Sequence, residues 1–140
     1  MILATGTGFA PIRSMLDHIY NRTEGFLHHV RLYWGFPTFA DVYMIDELMS
    51  LSERQGFTFS ICLSRETSID HIPAQYQPHI RLGRVTQAWD EDMKLLGDDH
   101  GSAVNAFDYY VCGGREIVEG LRQYMYEHGV DKQRVHFEKF

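Results

Sequence analysis

A short apolar run, Ile2 to Ala4, stops at Gly6-Thr7-Gly8 and gives way to Pro11, followed by Ile12, Met15, Leu16 and Ile19 at helical spacing. This passage constrains the fold most, because it joins a strand to a helix through a Gly-rich turn, with proline favourable at the helix's first position. The unit then recurs. Val30 to Trp34 reads as a second strand, and after a turn at Pro37, Asp41 is placed to cap a helix presenting Ile45, Leu48 and Met49 before Gly56 stops it. Phe57, Phe59, Ile61 and Leu63 alternate with small polar residues as a third strand. Ser64 to Arg84 carries Pro73 and Pro78 with little periodicity and reads as a long loop, of a length that is often functional. Val85 to Leu96 reads as a helix, Gly97 to Ala106 as a polar loop and Tyr109 to Cys112 as a strand. Ile117, Val118, Leu121, Tyr124 and Met125 form an apolar helix face ending at Gly129, and Arg134 to Phe137 makes a last strand. Five strands alternating with helices predict an α/β fold, a doubly wound and mostly parallel five-stranded sheet with helices on both faces.

With 140 residues and 44% hydrophobic content the chain has material for one core, so a single domain over residues 1–140 is expected. A formal charge of −6 opposes binding to nucleic acid or an anionic membrane surface, since both partners are polyanions. No apolar run approaches the roughly 18 residues of a membrane span, so no direct membrane insertion is expected. Cys62 and Cys112 fall inside apolar strand-like runs without a CxxC pattern, which favours a reduced, cytoplasmic setting over a disulfide framework. The eight histidines lack helical ligand pairs; adjacent His28 and His29 read as surface residues, and no metal site is expected. Tyr33, Trp34 and Phe36 read as core and strand-end packing, with Trp34-Gly35 at a strand terminus that would face a ligand cleft, and Asp90, Glu91 and Asp92 read as a solvated face.

In parallel α/β sheets ligands sit outside the carboxyl ends of the strands, at the point where strand order reverses. Gly6 and Gly8 fall at such an end. Their lack of side chains would let the backbone approach a pyrophosphate, and the following helix would offer free N–H groups, although the same pair also suits a purely structural turn. Ser64 and Arg65 follow the third strand, where a planar guanidinium and a hydroxyl could grip a phosphate. Gly113 and Gly114 follow the strand Tyr109 to Cys112, where glycines permit close approach of a flat ring or ribose.

Three segments in this order, Thr5 to Pro11 in a T-G-T-G-x-x-P form, Tyr110-Val111-Cys112-Gly113-Gly114, and the terminal Glu138-Lys139-Phe140, resemble the nicotinamide-dinucleotide domain of the ferredoxin–NADP⁺ reductase superfamily. The resemblance covers nearly the whole chain. It implies that Thr5, Gly6, Thr7, Gly8 and Pro11 form the pyrophosphate loop and that Gly113 and Gly114 lie beside the nicotinamide. Ser64-Arg65-Glu66 is similar to the S-R-E segment that NADP-type members use for the adenosine 2′-phosphate, and Tyr76 lies where plant-type members stack a tyrosine on adenine. Ala74 stands where plant-type members have a basic residue, and the loop to Arg84 is longer, so NADPH is favoured only slightly over NADH. The catalytic residues implied are Cys112, which positions nicotinamide without acting as a nucleophile, Glu138 near the reactive edge of FAD, and Phe140 covering the flavin face. Cys62 has no such counterpart and reads as core.

The resemblance further implies an NAD(P)H-dependent flavoprotein reductase, with hydride passing from NAD(P)H to FAD and electrons onward to a ferredoxin, an iron–sulfur domain or an oxygenase. FAD would be held mainly by a flavin-binding barrel of the same protein, bearing an R-x-Y-S type motif and expected before Met1. Two other classes stay open on the sequence: a nucleotide-binding regulatory module that transfers no hydride, and a flavodoxin-like interaction domain.

Overall fold

The structure, a computed structural model, describes residues 1–22, 28–54, 56–97 and 103–140. Its strands are β1 (Ile2–Thr5), β2 (Val30–Phe36), β3 (Phe57–Leu63), β4 (Ile80–Leu82), β5 (Tyr109–Gly113) and β6 (Val135–Lys139). The helices are α1 (Phe9–Asp17), α2 (Ile45–Ser52), α3 (Val85–Leu96) and α4 (Arg115–Glu127). The strands form one sheet in the order β4-β3-β2-β1-β5-β6, and every neighbouring pair is parallel. Strand order therefore reverses beside β1, which lies between β2 and β5.

Alternation along β1 divides the core. Ile2 and Ala4 face one layer with Phe9, Ile12 and Leu16 of α1 and Ile45 and Leu48 of α2. Leu3 faces the other, with Val85, Ala88, Trp89 and Met93 of α3 and Val118, Leu121 and Met125 of α4. β2 is apolar almost throughout because it is covered on both sides, as central parallel strands are. Tyr33, Trp34 and Phe36 are indeed core, and His28 and His29 are exposed. Gly129 stops α4 with a positive φ of 88°, as its position predicts.

The sheet has six strands, not five. Within the stretch read as loop, Ile80 pairs with Ile61 and Leu82 with Leu63. The added strand is three residues long with Arg81 at its centre, too short for a period to appear, and pairing with β3 stabilises it rather than its own composition. Asp41 does not cap α2 either. Its Oδ2 accepts from Thr38 N (3.0 Å) and Thr38 Oγ1 (2.8 Å), closing a 3₁₀ turn over Phe39–Asp41. α2 starts four residues later, behind Met44 in a left-handed conformation.

Asp92 is not part of a solvated face. Its side chain is 15% exposed and joins Arg31 Nη1 (3.1 Å), Tyr33 Oη (2.7 Å) and Arg81 Nη1 (2.8 Å). One carboxylate on α3 thus ties together β2 and β4, while Glu91 adds a bond from Arg81 Nη2 at 2.9 Å. Asp90, 17% exposed, is not on a solvated face either and pairs with Lys94 one turn on, so that of the three only Glu91 is exposed as expected. In the polar loop expected over Gly97 to Ala106, residues 98–102 lie outside the described ones.

Candidate functional site

At the carboxyl ends of β1, β2, β3 and β5 the sheet opens into a cleft of about 800 Å³. Thr5, Gly6 and Thr7 form one wall, Gly35, Phe36, Pro37, Cys62 and Ser64 another, and Arg84, Val85 and Thr86 open α3 beside them. Gly114, Glu116, Ile117, Gly120, Leu121 and Tyr124 of α4 close the far side. This is the point where strand order reverses.

The loop after β1 depends on its glycines for two different reasons. Gly6 has φ +50°, a left-handed conformation that costs glycine little. Gly8 has ordinary φ, but a Cβ there would collide with the carbonyl oxygen of Cys112 and stand 2.8 Å from Gly113 N. Across the same contact, a Cβ on Gly113 would meet Thr5 Oγ1 at 2.5 Å. Bare backbone at both strand ends lets β1 and β5 deliver their loops side by side. Pro11 is the third residue of α1 and not its first, because the helix already starts at Phe9; it still lies in the first turn, where its missing N–H leaves no intrahelical bond unmade, and it does not line the cleft.

Thr5 Oγ1 is buried and has no hydrogen-bond partner among the described residues. An unpaired buried hydroxyl costs about 1–3 kcal/mol. A polar ligand group entering beside Thr5 would relieve that cost. Arg84 is the basic side chain of the cleft and has no ion pair among the described residues. Hydroxyls, glycine backbone, the Arg84 cation and an apolar wall from Ile117 and Leu121 suit a phosphorylated ligand with flat rings, the phosphates lying toward Arg84 and away from the Glu116 carboxylate on the α4 side.

Ser64 lines the cleft and its N–H donates to Phe36 O at 3.0 Å, continuing the β2–β3 ladder. Arg65 N donates to Pro37 O at 2.8 Å; its side chain is exposed and is not among the lining residues, although its neighbour Ser64 is. Glu66 Oε1 accepts from Phe39 N (3.0 Å) and lies 3.4 Å from His71 Nε2, securing this corner. Tyr76 is not in the cleft. Its hydroxyl donates to Asp46 Oδ1 of α2 at 2.6 Å, a bond that raises the phenol's pKa, and its ring lies 6.0 Å from that of Phe39.

Cys112, Glu138 and Phe140 come together beyond the β5 end of the cleft. Cys112 is paired with Glu138 across β5 and β6. Burial raises the thiol's pKa, and the Glu138 carboxylate raises it further, so the sulfur stays a neutral packing group. Phe140 N donates to Gly113 O (3.3 Å) and Phe140 O accepts from Arg115 N (3.2 Å), while its side chain is 58% exposed. None of the three lines the cleft itself.

Several cleft residues carry no motif in the sequence. Arg84, Val85 and Thr86 follow Gly83, whose φ of +107° marks a turn that could have placed a helix start at the strand ends. Gly120 gave no local signal; its role as open wall emerges only when α4 is laid across the sheet. Cys62 is core, as expected, yet its buried edge also reaches the cleft. Among the described residues no His, Cys, Asp and Glu cluster could hold a metal, and no helix is long and apolar enough to cross a membrane.

Comparison with known proteins agrees with this geometry. The electron transfer component of 2-halobenzoate 1,2-dioxygenase from Burkholderia cepacia is 33% identical over 141 residues, covering 100% of this chain and 37% of that protein. The reductase component of propane 2-monooxygenase from Gordonia sp. (strain TY-5) is 29% identical over 136 residues, covering 96% of this chain and 35% of that protein. The crystal structure of Amycolatopsis cytochrome P450 reductase GcoB superposes with a TM-score of 0.72 at 28% identity, covering 100% of this chain and 37% of that one. The chain thus spans a little over a third of the length of these relatives. The oxidoreductase NAD-binding domain family matches residues 2–123. The chain belongs to that family, as a nucleotide-binding domain of the ferredoxin–NADP⁺ reductase superfamily.

Proposed function

We propose that this chain binds NAD(P)H across the strand-end cleft and is the nucleotide half of a flavin-dependent reductase that supplies electrons to an oxygenase-type acceptor. One observation carries the reading: the β1 and β5 loops meet through glycine backbone at the switch point, beside the unpartnered Thr5 hydroxyl. The relatives named as reductase and electron transfer components of oxygenases support the choice of acceptor class.

In this reading Thr5, Gly6 and Thr7 hold the pyrophosphate, with Gly8 and Pro11 setting the loop's path. Ser64 and Arg65 receive the adenosine end, and Arg65 meets a 2′-phosphate when one is present. Tyr76 stacks on adenine if its ring turns from the Asp46 bond toward the rim. Gly113 and Gly114 give room to the nicotinamide ring, and Cys112 packs behind it. Glu138 and Phe140 face the flavin, which a separate domain of the same protein holds. NAD(P)H and FAD supply hydride transfer when bound; the chain's own contribution is to fix orientation, which is where most of the entropic barrier lies.

Calorimetric titration of the chain with NADH and NADPH tests the reading. Binding of either to a chain that purifies colourless is expected. Stoichiometric flavin retained by these residues would contradict the division of labour, and the absence of binding to both nucleotides would contradict the site.

A further inference from the structure

Two side chains from outside the cleft converge on one backbone oxygen of the Gly-rich loop. Trp34 Nε1 donates to Gly6 O at 2.9 Å, and Tyr43 Oη donates to the same oxygen at 3.1 Å. Neither residue lines the cleft, whereas Gly6 and Thr7 do. Both donors are themselves held in an aromatic stack. Trp34 is 0% exposed, with its ring 4.2 Å from Phe9, 4.6 Å from Phe36 and 4.8 Å from Tyr43. The rest of the β1 loop has no other side-chain hydrogen bond among the described residues.

A trans peptide carries its N–H on the side opposite its C=O, and the Gly6–Thr7 bond is trans. Fixing the Gly6 carbonyl toward Trp34 and Tyr43 turns the Thr7 N–H the other way, toward the cleft. The same bonds keep a carbonyl dipole, which would repel an anion, facing away from it. Without them the left-handed Gly6, φ +50°, would have little to hold it, because glycine rotates freely.

We infer that Trp34 and Tyr43 are positioning residues for dinucleotide binding: their paired hydrogen bonds to Gly6 O orient the Gly6–Thr7 peptide so that the Thr7 N–H meets the ligand's pyrophosphate. The inference rests on the cleft being a dinucleotide site. It assigns a binding role to a tryptophan and a tyrosine that touch no ligand.

The test uses ADP-ribose, with calorimetry for affinity and ¹⁵N–¹H spectra for the Thr7 and Gly114 amides on opposite walls. Tyr43→Phe keeps the ring and deletes only the hydroxyl, and Trp34→Phe deletes the second donor. Each should weaken ADP-ribose about 5-fold and the double variant about 10- to 30-fold, the scale of one and two neutral hydrogen bonds. The ligand-induced shift of Thr7 should shrink while that of Gly114 persists, and the melting temperature of Tyr43→Phe should stay close to that of the unmutated chain. Unchanged affinity with an unchanged Thr7 shift in both variants would overturn the inference and leave the site intact. Loss of both shifts together with a lowered melting temperature would mean a general packing role and would also overturn it. No shift at either amide in the unmutated chain would overturn the dinucleotide site itself.

Discussion

Gly8 lies directly against the main-chain carbonyl of Cys112, with no space for a Cβ between them. The contact joins the end of β1 to the end of β5, so the two halves of the cleft share one packing constraint. Because the obstructing atoms are backbone, Gly8→Ala must displace a strand end. A loss of about 1–3 kcal/mol is expected, the usual cost of overpacking, together with weaker nucleotide binding. Urea unfolding and a parallel NADH titration measure both. Full stability in this variant would show that the strand ends are not held this closely.

Asp92 should be worth far more to the fold than its neighbour Glu91, 65% exposed, although the sequence places both on one solvated face. Asp92→Ala leaves Arg31, Arg81 and the buried hydroxyl of Tyr33 without their shared acceptor. A destabilisation of about 2–3 kcal/mol is expected from one lost multi-partner carboxylate. Glu91→Ala removes one exposed pair with Arg81, worth about 0.2–1 kcal/mol. Equal effects in denaturant titrations would contradict the hub.

Alkaline pH should weaken the fold through Cys62. Burial pushes its thiol from 9.0 to about 12, against the opposing pull of the Arg81 guanidinium. Below the unfolded value both states hold the proton and the full stability is present. Between the two values the unfolded chain releases its proton and the folded one does not, so stability falls by about 1.4 kcal/mol per pH unit. Comparing pH 8 with pH 10.5, the unmutated chain should lose about 2 kcal/mol more than Cys62→Ala. Tyr109, which burial raises to about 12, titrates in both proteins and cancels in the comparison. Parallel losses in the two would show that the thiol is not held neutral.

Cofactor choice should respond to Arg65. Its side chain, next in sequence to the cleft residue Ser64, is exposed and has no ion pair among the described residues. Arg65→Ala should weaken NADPH by about 1.5–3 kcal/mol, the scale of a hydrogen bond to a charged group, and leave NADH nearly unchanged. Equal losses for both nucleotides in calorimetry would remove Arg65 from the 2′-phosphate corner.

The elements legible in the sequence were those whose signal is local. β1, β2, β3 and β5 announce themselves as apolar or alternating runs, and α1 and α4 by buried residues three and four apart. β4 was illegible because its three residues are a strand only when paired with β3. The sequence points Asp41 toward α2, but a carboxylate caps the N–H that is nearest, and Thr38 offers one three residues before it. Asp92 and Tyr43 were opaque for another reason: their partners lie far along the chain, Arg31 and Tyr33 for one and Gly6 for the other. The cleft's motifs were found, but its α4 wall needed the fold.

The most direct measurement is a calorimetric titration of NADH and NADPH into the unmutated chain and into Gly114→Leu. A Cβ at Gly114 meets nothing within 4 Å, and its φ of −61° suits any residue, so the leucine should fill the cleft without disturbing the fold. The account predicts binding to the unmutated chain and loss of at least tenfold in affinity, about 1.4 kcal/mol, in a variant of unchanged melting temperature. Undiminished binding to Gly114→Leu would contradict the placement of the nucleotide between the β1 and β5 loops.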